Sequence, residues 1–218
     1  ERAILLNKSG ERIHVTGTIA PITDRDGNVE GQVAALRDIT EMRKMSEKLH
    51  YQASHDTLTG LYNREEFSSI LNVLLESNQY EHSHHALLYL DLDQFKIIND
   101  TVGHIAGDEL LMQATEIIQG IVRASDICAR MGGDEFSIIL KNTPQKQAEY
   151  IARRLHNKLG AHKLTWNNET FSISCTIGIV ILDESSRDIN HILAAADDAV
   201  FMGKEEGGNR VKLYNAKV

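Results

Sequence analysis

Leu90-Asp91-Leu92-Asp93-Gln94-Phe95-Lys96 and Arg130-Met131-Gly132-Gly133-Asp134-Glu135-Phe136 each place acidic side chains at the end of an apolar run. Both runs read as strands, and the second turns at its glycines into what reads as a hairpin. Carboxylates from two neighbouring strands can hold a pair of divalent cations. Glycines, having no side chain, let a bulky phosphate group approach the backbone. The combination suits metal-assisted chemistry on a nucleoside triphosphate. Taken singly, Asp91 and Asp134 would be solvated strand-end carboxylates and Gly132-Gly133 a plain type I′ turn. The pairing of the two motifs points to a site.

The elements that must position these residues follow from periodicity. Ala86 to Asp93 reads as a strand, with Tyr89, Asp91 and Asp93 on one face and Leu88, Leu90 and Leu92 on the other. Asp126–Arg130 and Glu135–Leu140 are the arms of the hairpin. Asn63 and Glu66 form a capping-box variant ahead of the helical stripe Phe67, Ile70, Leu71, Leu74 and Leu75. Leu110, Leu111, Ala114, Ile117, Ile118 and Ile121 mark a second helix, for which Asp108 could serve as N-cap. Thr143-Pro144 opens a third helix as cap and first-turn proline, and Gly160 closes it. Lys163–Trp166 and Thr170–Leu182 read as a hairpin around Asn167-Asn168. Asp188 caps a last helix, and Arg210–Tyr214 is a final strand. The expected fold is α/β: a central, mainly antiparallel sheet flanked by helices.

Ahead of this, residues 1–40 read as strands separated by the turn clusters Lys8-Ser9-Gly10 and Asp24-Arg25-Asp26-Gly27-Asn28. Residues 41–55 change character: Met42, Met45, Leu49 and Gln52 follow a coiled-coil-like 3-4-3 spacing, suited to a dimer-forming linker or a plain amphipathic connector. Residues 56–218 carry the alternating helices and strands.

The chain has 218 residues and a net charge of −8. That charge argues against a nucleic-acid polymer as partner, since phosphate backbones select basic surfaces. It is compatible with a nucleotide held through metal ions. No apolar run approaches the length of a membrane span and no signal peptide opens the chain. The expectation is a cytoplasmic piece of a parent protein that other segments could anchor to a membrane. Glu1-Arg2-Ala3 reads as the start of an excised fragment. Cys128 and Cys175 lie in strand-like apolar runs and read as buried free thiols.

These residues resemble the GGDEF family of diguanylate cyclase domains over roughly residues 52–217. Asp56-Thr57-Leu58-Thr59-Gly60-Leu61-Tyr62-Asn63-Arg64 is similar to the family's opening motif. Asp91 to Asp100 resembles its metal-and-phosphate strand, and Gly103-His104-Ile105-Ala106-Gly107-Asp108 its base-binding turn. The GGDEF hairpin is intact, and Ser174-Cys175-Thr176-Ile177-Gly178-Ile179 resembles the inner strand near the site. The fold so implied is similar to nucleotidyl cyclases and polymerase palms. Residues 1–40, ending in Asp38-Ile39-Thr40, resemble the C-terminal half of a PAS sensor domain.

The resemblance implies that two GTP molecules are joined into cyclic di-GMP with release of pyrophosphate, by two domains facing each other in a homodimer. It implies Mg²⁺ (or Mn²⁺) held by Asp91, Asp134 and the Leu92 carbonyl, with Glu135 holding a second metal or helping to remove a proton. It makes Asp134 and Glu135 the catalytic pair. Gly132 and Gly133 would admit the α-phosphate. Phe95 and Lys96, with Lys204, would contact the outer phosphates, and Asn99 and Asp108 the guanine. Arg123-Ala124-Ser125-Asp126 matches an inhibitory RxxD site, at which Arg123 and Asp126 would bind the product; otherwise the pair is a surface salt bridge. One position departs from the pattern: in Lys204-Glu205-Glu206-Gly207-Gly208-Asn209-Arg210, Gly208 stands where the family usually has arginine. A phosphate contact is thereby lost unless Arg210 replaces it. A GTP-binding regulatory domain controlling a downstream EAL phosphodiesterase is the alternative, and a pure sensor or dimerisation module a third reading.

Overall fold

The computed structural model describes residues 2–81, 84–167, 169–183, 186 and 188–215. It divides into two compact units, Glu1–Ala53 and Ser54–Val218. The first is a three-stranded antiparallel sheet, β1 (Arg2–Leu6), β2 (Arg12–Thr23) and β3 (Val29–Asp38), in that order. Its turns form where Gly and Asx residues allow: Asn7 Oδ1 accepts from the amides of Ser9 and Glu11, and Asp24 Oδ1 from those of Asp26 and Asn28. Helix α1 (Thr40–Ser54) follows, with the Met42, Met45 and Leu49 stripe exposed.

The second unit runs α2 (Arg64–Glu81), β4 (His85–Asp93), α3 (Phe95–Val102), α4 (His104–Gln119), β5 (Ile127–Gly132), β6 (Glu135–Leu140), α5 (Gln145–Ala161), β7 (Lys163–Trp166), β8 (Glu169–Ser172), β9 (Ser174–Leu182), α6 (Ile189–Glu205) and β10 (Val211–Leu213). Five strands make the central sheet, in the order β10-β9-β4-β6-β5. All neighbours are antiparallel except β10 on β9. The expected mainly antiparallel α/β sheet is the one observed. Strand β4 lies at its centre and is covered on both faces. Leu88, Leu90 and Leu92 pack with Phe95, Leu110 and Leu155 of α3, α4 and α5. Leu87 and Tyr89 pack on the other side with Phe67, Leu71 and Val200 of α2 and α6. The period-2 alternation thus sends Asp91 toward the α2/α6 face. Two caps form as the sequence suggests: Asn63 Oδ1 accepts from the Glu66 amide at 2.9 Å, and Asp188 Oδ1 from the Asn190 amide at 2.9 Å.

Several local expectations are corrected. The stretch from Asp91 to Asp100 is not one strand: Gln94 takes a left-handed conformation (φ 62°) and turns the chain directly into α3. The base-binding "turn" is the first turn and a half of α4, which starts at His104 after Gly103. Asp108 therefore lies inside that helix and is not its N-cap. Thr143 bonds the Lys141 carbonyl instead of capping α5, whose N-cap position is Pro144, and Gly160 lies within α5. The strand foreseen at Thr170–Leu182 is broken at Ile173, so that β8 pairs with β7 and β9 enters the main sheet. Asn168 lies outside the described residues. Strand β10 is shorter than Arg210–Tyr214.

Candidate active site

The β4–β6 register sets Asp91 directly opposite Glu135, so both carboxylates share one face of the sheet. The Leu92 amide donates to the Asp134 carbonyl at 3.2 Å, which fastens the hairpin tip to the end of β4. A bulge at Met131 precedes the glycines. Gly132 and Gly133 have φ of 143° and 53°, conformations a side chain resists. Asp134 does not share the positive φ, so the loop is not the type I′ turn, which needs it at both central residues.

Arg130 locks this tip. Its guanidinium donates twice to the Gly133 carbonyl, at 3.0 and 2.8 Å, and reaches both Asp56 oxygens at 3.2 Å. Burial raises the Asp56 carboxyl, but the Thr59 hydrogen bonds and the Arg130 charge outweigh it and hold the group below its ordinary value. Sequence reading assigned Arg130 no role; its adjacency to the glycine hairpin and the unassigned Asp56 were the available signals.

Asp91 is 8 % exposed. Burial raises its carboxyl from 3.8 to about 6; Lys204 opposes this, and the charges of Asp134 and Glu135 add to it. Lys204 Nζ sits 2.5 Å from Asp91 Oδ2. The other oxygen, Oδ1, is buried and has no hydrogen-bond partner among the described residues. A buried acceptor left open is costly, and a hard cation is the partner that this oxygen, near the charges of Asp134 and Glu135, would suit. The residues fit a divalent ion. Among the described residues no group of three or more His, Cys, Asp or Glu side chains is placed to hold a metal ion, so side chains alone supply only part of a shell here. Such a site relies on water and phosphate to complete the shell, as Mg²⁺ sites usually do.

A cavity of about 340 Å³ lies beside it, lined by Asp93, Gln94, Ser174, Lys204, Gly207 and Gly208. Phe95 and Lys96 begin α3 at this point, and the Gln94 side chain does not cap the helix; a helix start of this kind can present amides to an anion. Asp93 organises the opposite rim, a second role not foreseen. It accepts from Ser174 Oγ (2.9 Å), Thr176 Oγ1 (2.8 Å) and the Asn209 amide (2.9 Å). Gly208 has φ 70°, and a Cβ there would sit 3.3 Å from Asp93 Oδ1. Arg210 does not replace the missing arginine: it is held by Glu206 and donates to the Gly208 carbonyl at 3.0 Å.

Asn99 packs against α4 at Gly107, where a Cβ would lie 1.9 Å from Asn99 Oδ1. That oxygen is also buried without a hydrogen-bond partner among the described residues. Asp108, one residue beyond Gly107, is exposed. The structure therefore brings Asn99 close to the α4 turn that carries Asp108.

Arg123 and Asp126 stand apart from these groups. No salt bridge joins them. Asp126 Oδ2 accepts from the Arg123 amide at 2.9 Å and Oδ1 from the Lys141 amide at 3.1 Å, while the Arg123 side chain is exposed. Both border a cavity of about 400 Å³ lined also by His55, Gly60, Leu61, Tyr62 and Cys128. Both thiols have no disulfide partner; Cys175 is buried, but Cys128 is only partly so, at this cavity. Burial pushes both up, Cys128 to about 12.

The family model described as diguanylate cyclase, GGDEF domain, matches residues 53–210. The chain belongs to the GGDEF family. Its GGDEF domain has curated relatives that include both cyclases and phosphodiesterases by name. The probable diguanylate cyclase DgcE of Escherichia coli K12 is 36% identical over 215 residues, covering 98% of this chain and 20% of that protein. The cyclic di-GMP phosphodiesterase PdeR of the same organism is 35% identical over 181 residues, covering 83% of this chain and 27% of that protein. The chain thus spans about a quarter or less of these relatives. In fold, the GGDEF domain is similar to the crystal structure of the coiled coil and GGDEF domain of DgcB from Caulobacter crescentus, solved with c-di-GMP. The TM-score is 0.76 at 24% identity, covering 80% of this chain and 93% of that one.

Proposed function

We propose that this GGDEF domain is a diguanylate cyclase that condenses two GTP molecules into cyclic di-GMP. The observation that carries the reading is the open, buried Asp91 Oδ1 beside Asp134 and Glu135, next to a glycine hairpin and Lys204. In the reaction each 3′-oxygen forms a bond to the other nucleotide's α-phosphorus, the bond from that phosphorus to the bridging oxygen breaks, and pyrophosphate leaves. Each hydroxyl proton passes to Glu135 or to water. Asp91, Asp134 and the Leu92 carbonyl are the ligands for Mg²⁺ or Mn²⁺, which when bound neutralises phosphate charge and polarises the phosphorus. Lys96, Lys204 and the first amides of α3 hold the outer phosphates. Gly132 and Gly133 leave room for the α-phosphate. Asn99 and Asp108 accept from the guanine N1 and N2 donors, which adenine lacks.

One domain holds one GTP, so a homodimer is the competent form, with α1 as its dimerising linker and the strands before it as a PAS-type regulator. Product returns to the cavity at Arg123 and Asp126 and inhibits. The protein acts in the cytoplasm. A second reading rests on Gly208 and on the likeness to a phosphodiesterase: a GTP-binding domain of low turnover that regulates a downstream EAL domain. Incubation with Mg²⁺ and GTP, followed by detection of cyclic di-GMP, decides between the two. The cyclase reading expects product, and GTP preferred to ATP by roughly a hundredfold or more. GTP binding without product favours the regulatory reading, and equal affinity for ATP and GTP removes the guanine assignment.

A further inference from the structure

Glu135 is gripped from behind. Tyr89 lies two residues before Asp91 on β4 and projects to the same face. Its hydroxyl donates to Glu135 Oε2 at 3.0 Å. Tyr89 is 5 % exposed and packs in the α2/α6 side of the core, with its hydroxyl end toward a cavity that it lines with Arg64 and Glu135, so the core packing limits its movement. Arg64, in the first turn of α2, brings Nη2 to 3.9 Å of the same oxygen, from a side chain that is 62 % exposed. The Tyr89 hydrogen bond and the Arg64 ion pair both fall on Oε2 and neither engages Oε1, while Glu135 itself lies opposite Asp91 in the strand register. An unheld glutamate has several rotamers at the end of a flexible stem. A hydrogen bond from a buried, rigid aromatic ring selects among them in advance of substrate.

We propose that Tyr89 is a positioning residue for the reaction, holding Glu135 Oε2 so that Oε1 faces the cation and the attacking hydroxyl. This rests on the role given to Glu135 above. Arg64 adds a weaker, solvent-screened second grip. A core tyrosine needs some partner for its hydroxyl; here the partner is the charged residue of the hairpin motif and not a main-chain carbonyl, so the bond orients a reactive group.

The test is a double-mutant cycle between Tyr89→Phe and Glu135→Gln, read in two ways. Tyr89→Phe keeps the ring and the core packing, and its melting temperature should stay within a few degrees of the wild type. The first readout is turnover: kcat should fall roughly tenfold, the loss of one hydrogen bond to a charged group, with the KM for GTP within about twofold. The second needs no turnover: Mn²⁺ affinity, measured by calorimetry with a non-hydrolysable GTP analogue, should weaken in Tyr89→Phe. In both readouts Tyr89→Phe should add little to Glu135→Gln. Wild-type protein that makes no product but shows the coupling in Mn²⁺ binding removes the cyclase reading and leaves the positioning role standing. Additive effects in both readouts, or none from Tyr89→Phe, overturn it.

Discussion

Asp91 and Asp126 are both buried aspartates, 8 % and 9 % exposed, at strand ends of one sheet, and their surroundings treat them in opposite ways. Each Asp126 oxygen accepts from a main-chain amide, those of Arg123 and Lys141. It braces a corner and asks for nothing more. Asp91 has one oxygen on Lys204 and one that is buried and open, among other carboxylates that disfavour its charge. The first arrangement is complete as it stands. The second is stabilised by the arrival of positive charge. The contrast separates an acidic residue that builds the fold from one that the fold holds in readiness.

The largest effect that can break this contrast is on turnover. Asp134→Ala should abolish cyclic di-GMP formation, and Asp91→Asn should reduce it by roughly three orders of magnitude, because a cation site supplies several kcal/mol of charge stabilisation. Both should fold as well as the wild type in thermal melts. Retained activity in either would place the cation elsewhere.

At the other corner the effects should divide. Asp126→Ala strands two amides and should lower stability by about 1–3 kcal/mol, measured by denaturant unfolding. Arg123→Ala touches only an exposed side chain and should leave stability unchanged, while weakening cyclic di-GMP binding by about 1–3 kcal/mol, the range for a charge-assisted hydrogen bond. Product binding indifferent to Arg123 would leave that corner as a brace alone.

Gly208→Arg sharpens the account of the phosphate cavity. The position borders that cavity beside Asp93. A restored guanidinium should tighten GTP binding about tenfold, while the positive φ should cost about 1 kcal/mol of stability. Unchanged affinity in a folded variant would show that the position does not reach the phosphates.

A smaller effect follows from Asp91 itself. Its folded value, about 6, lies above its ordinary 3.8. Between those values the folded protein binds a proton that the unfolded chain does not, so raising the pH through this window should reduce the stability of the free protein. Cation binding needs the ionised carboxylate and should strengthen over the same range. Melting curves across pH, with and without Mn²⁺ and GTP, should therefore diverge as the pH rises.

How much of this was legible in the sequence depends on the scale of the signal. The alternation along Leu88 to Asp93 and the double glycine pointed to the candidate site, because strand period and turn chemistry are local. Asn63 and Asp188 announced their caps for the same reason. The start of α3 was hidden, since nothing marks Gln94 as a residue that will adopt φ 62°. The start of α4 was misplaced because Asp108 is a good cap type in a position that tertiary packing made helical. The break at Ile173 was hidden because the residues on either side are equally strand-like. Arg130 with Asp56, Asp93 with Asn209, and Tyr89 with Glu135 are contacts between residues distant in the chain, and no local pattern encodes them.

The most direct measurement is the anomalous diffraction of Mn²⁺ in crystals of the protein grown with a non-hydrolysable GTP analogue. The account predicts a peak about 2.1 Å from Asp91 Oδ1, with Lys204 drawn toward the phosphates. A cation bound without Asp91, or Asp91 Oδ1 still without a partner in a nucleotide-bound domain, would contradict it.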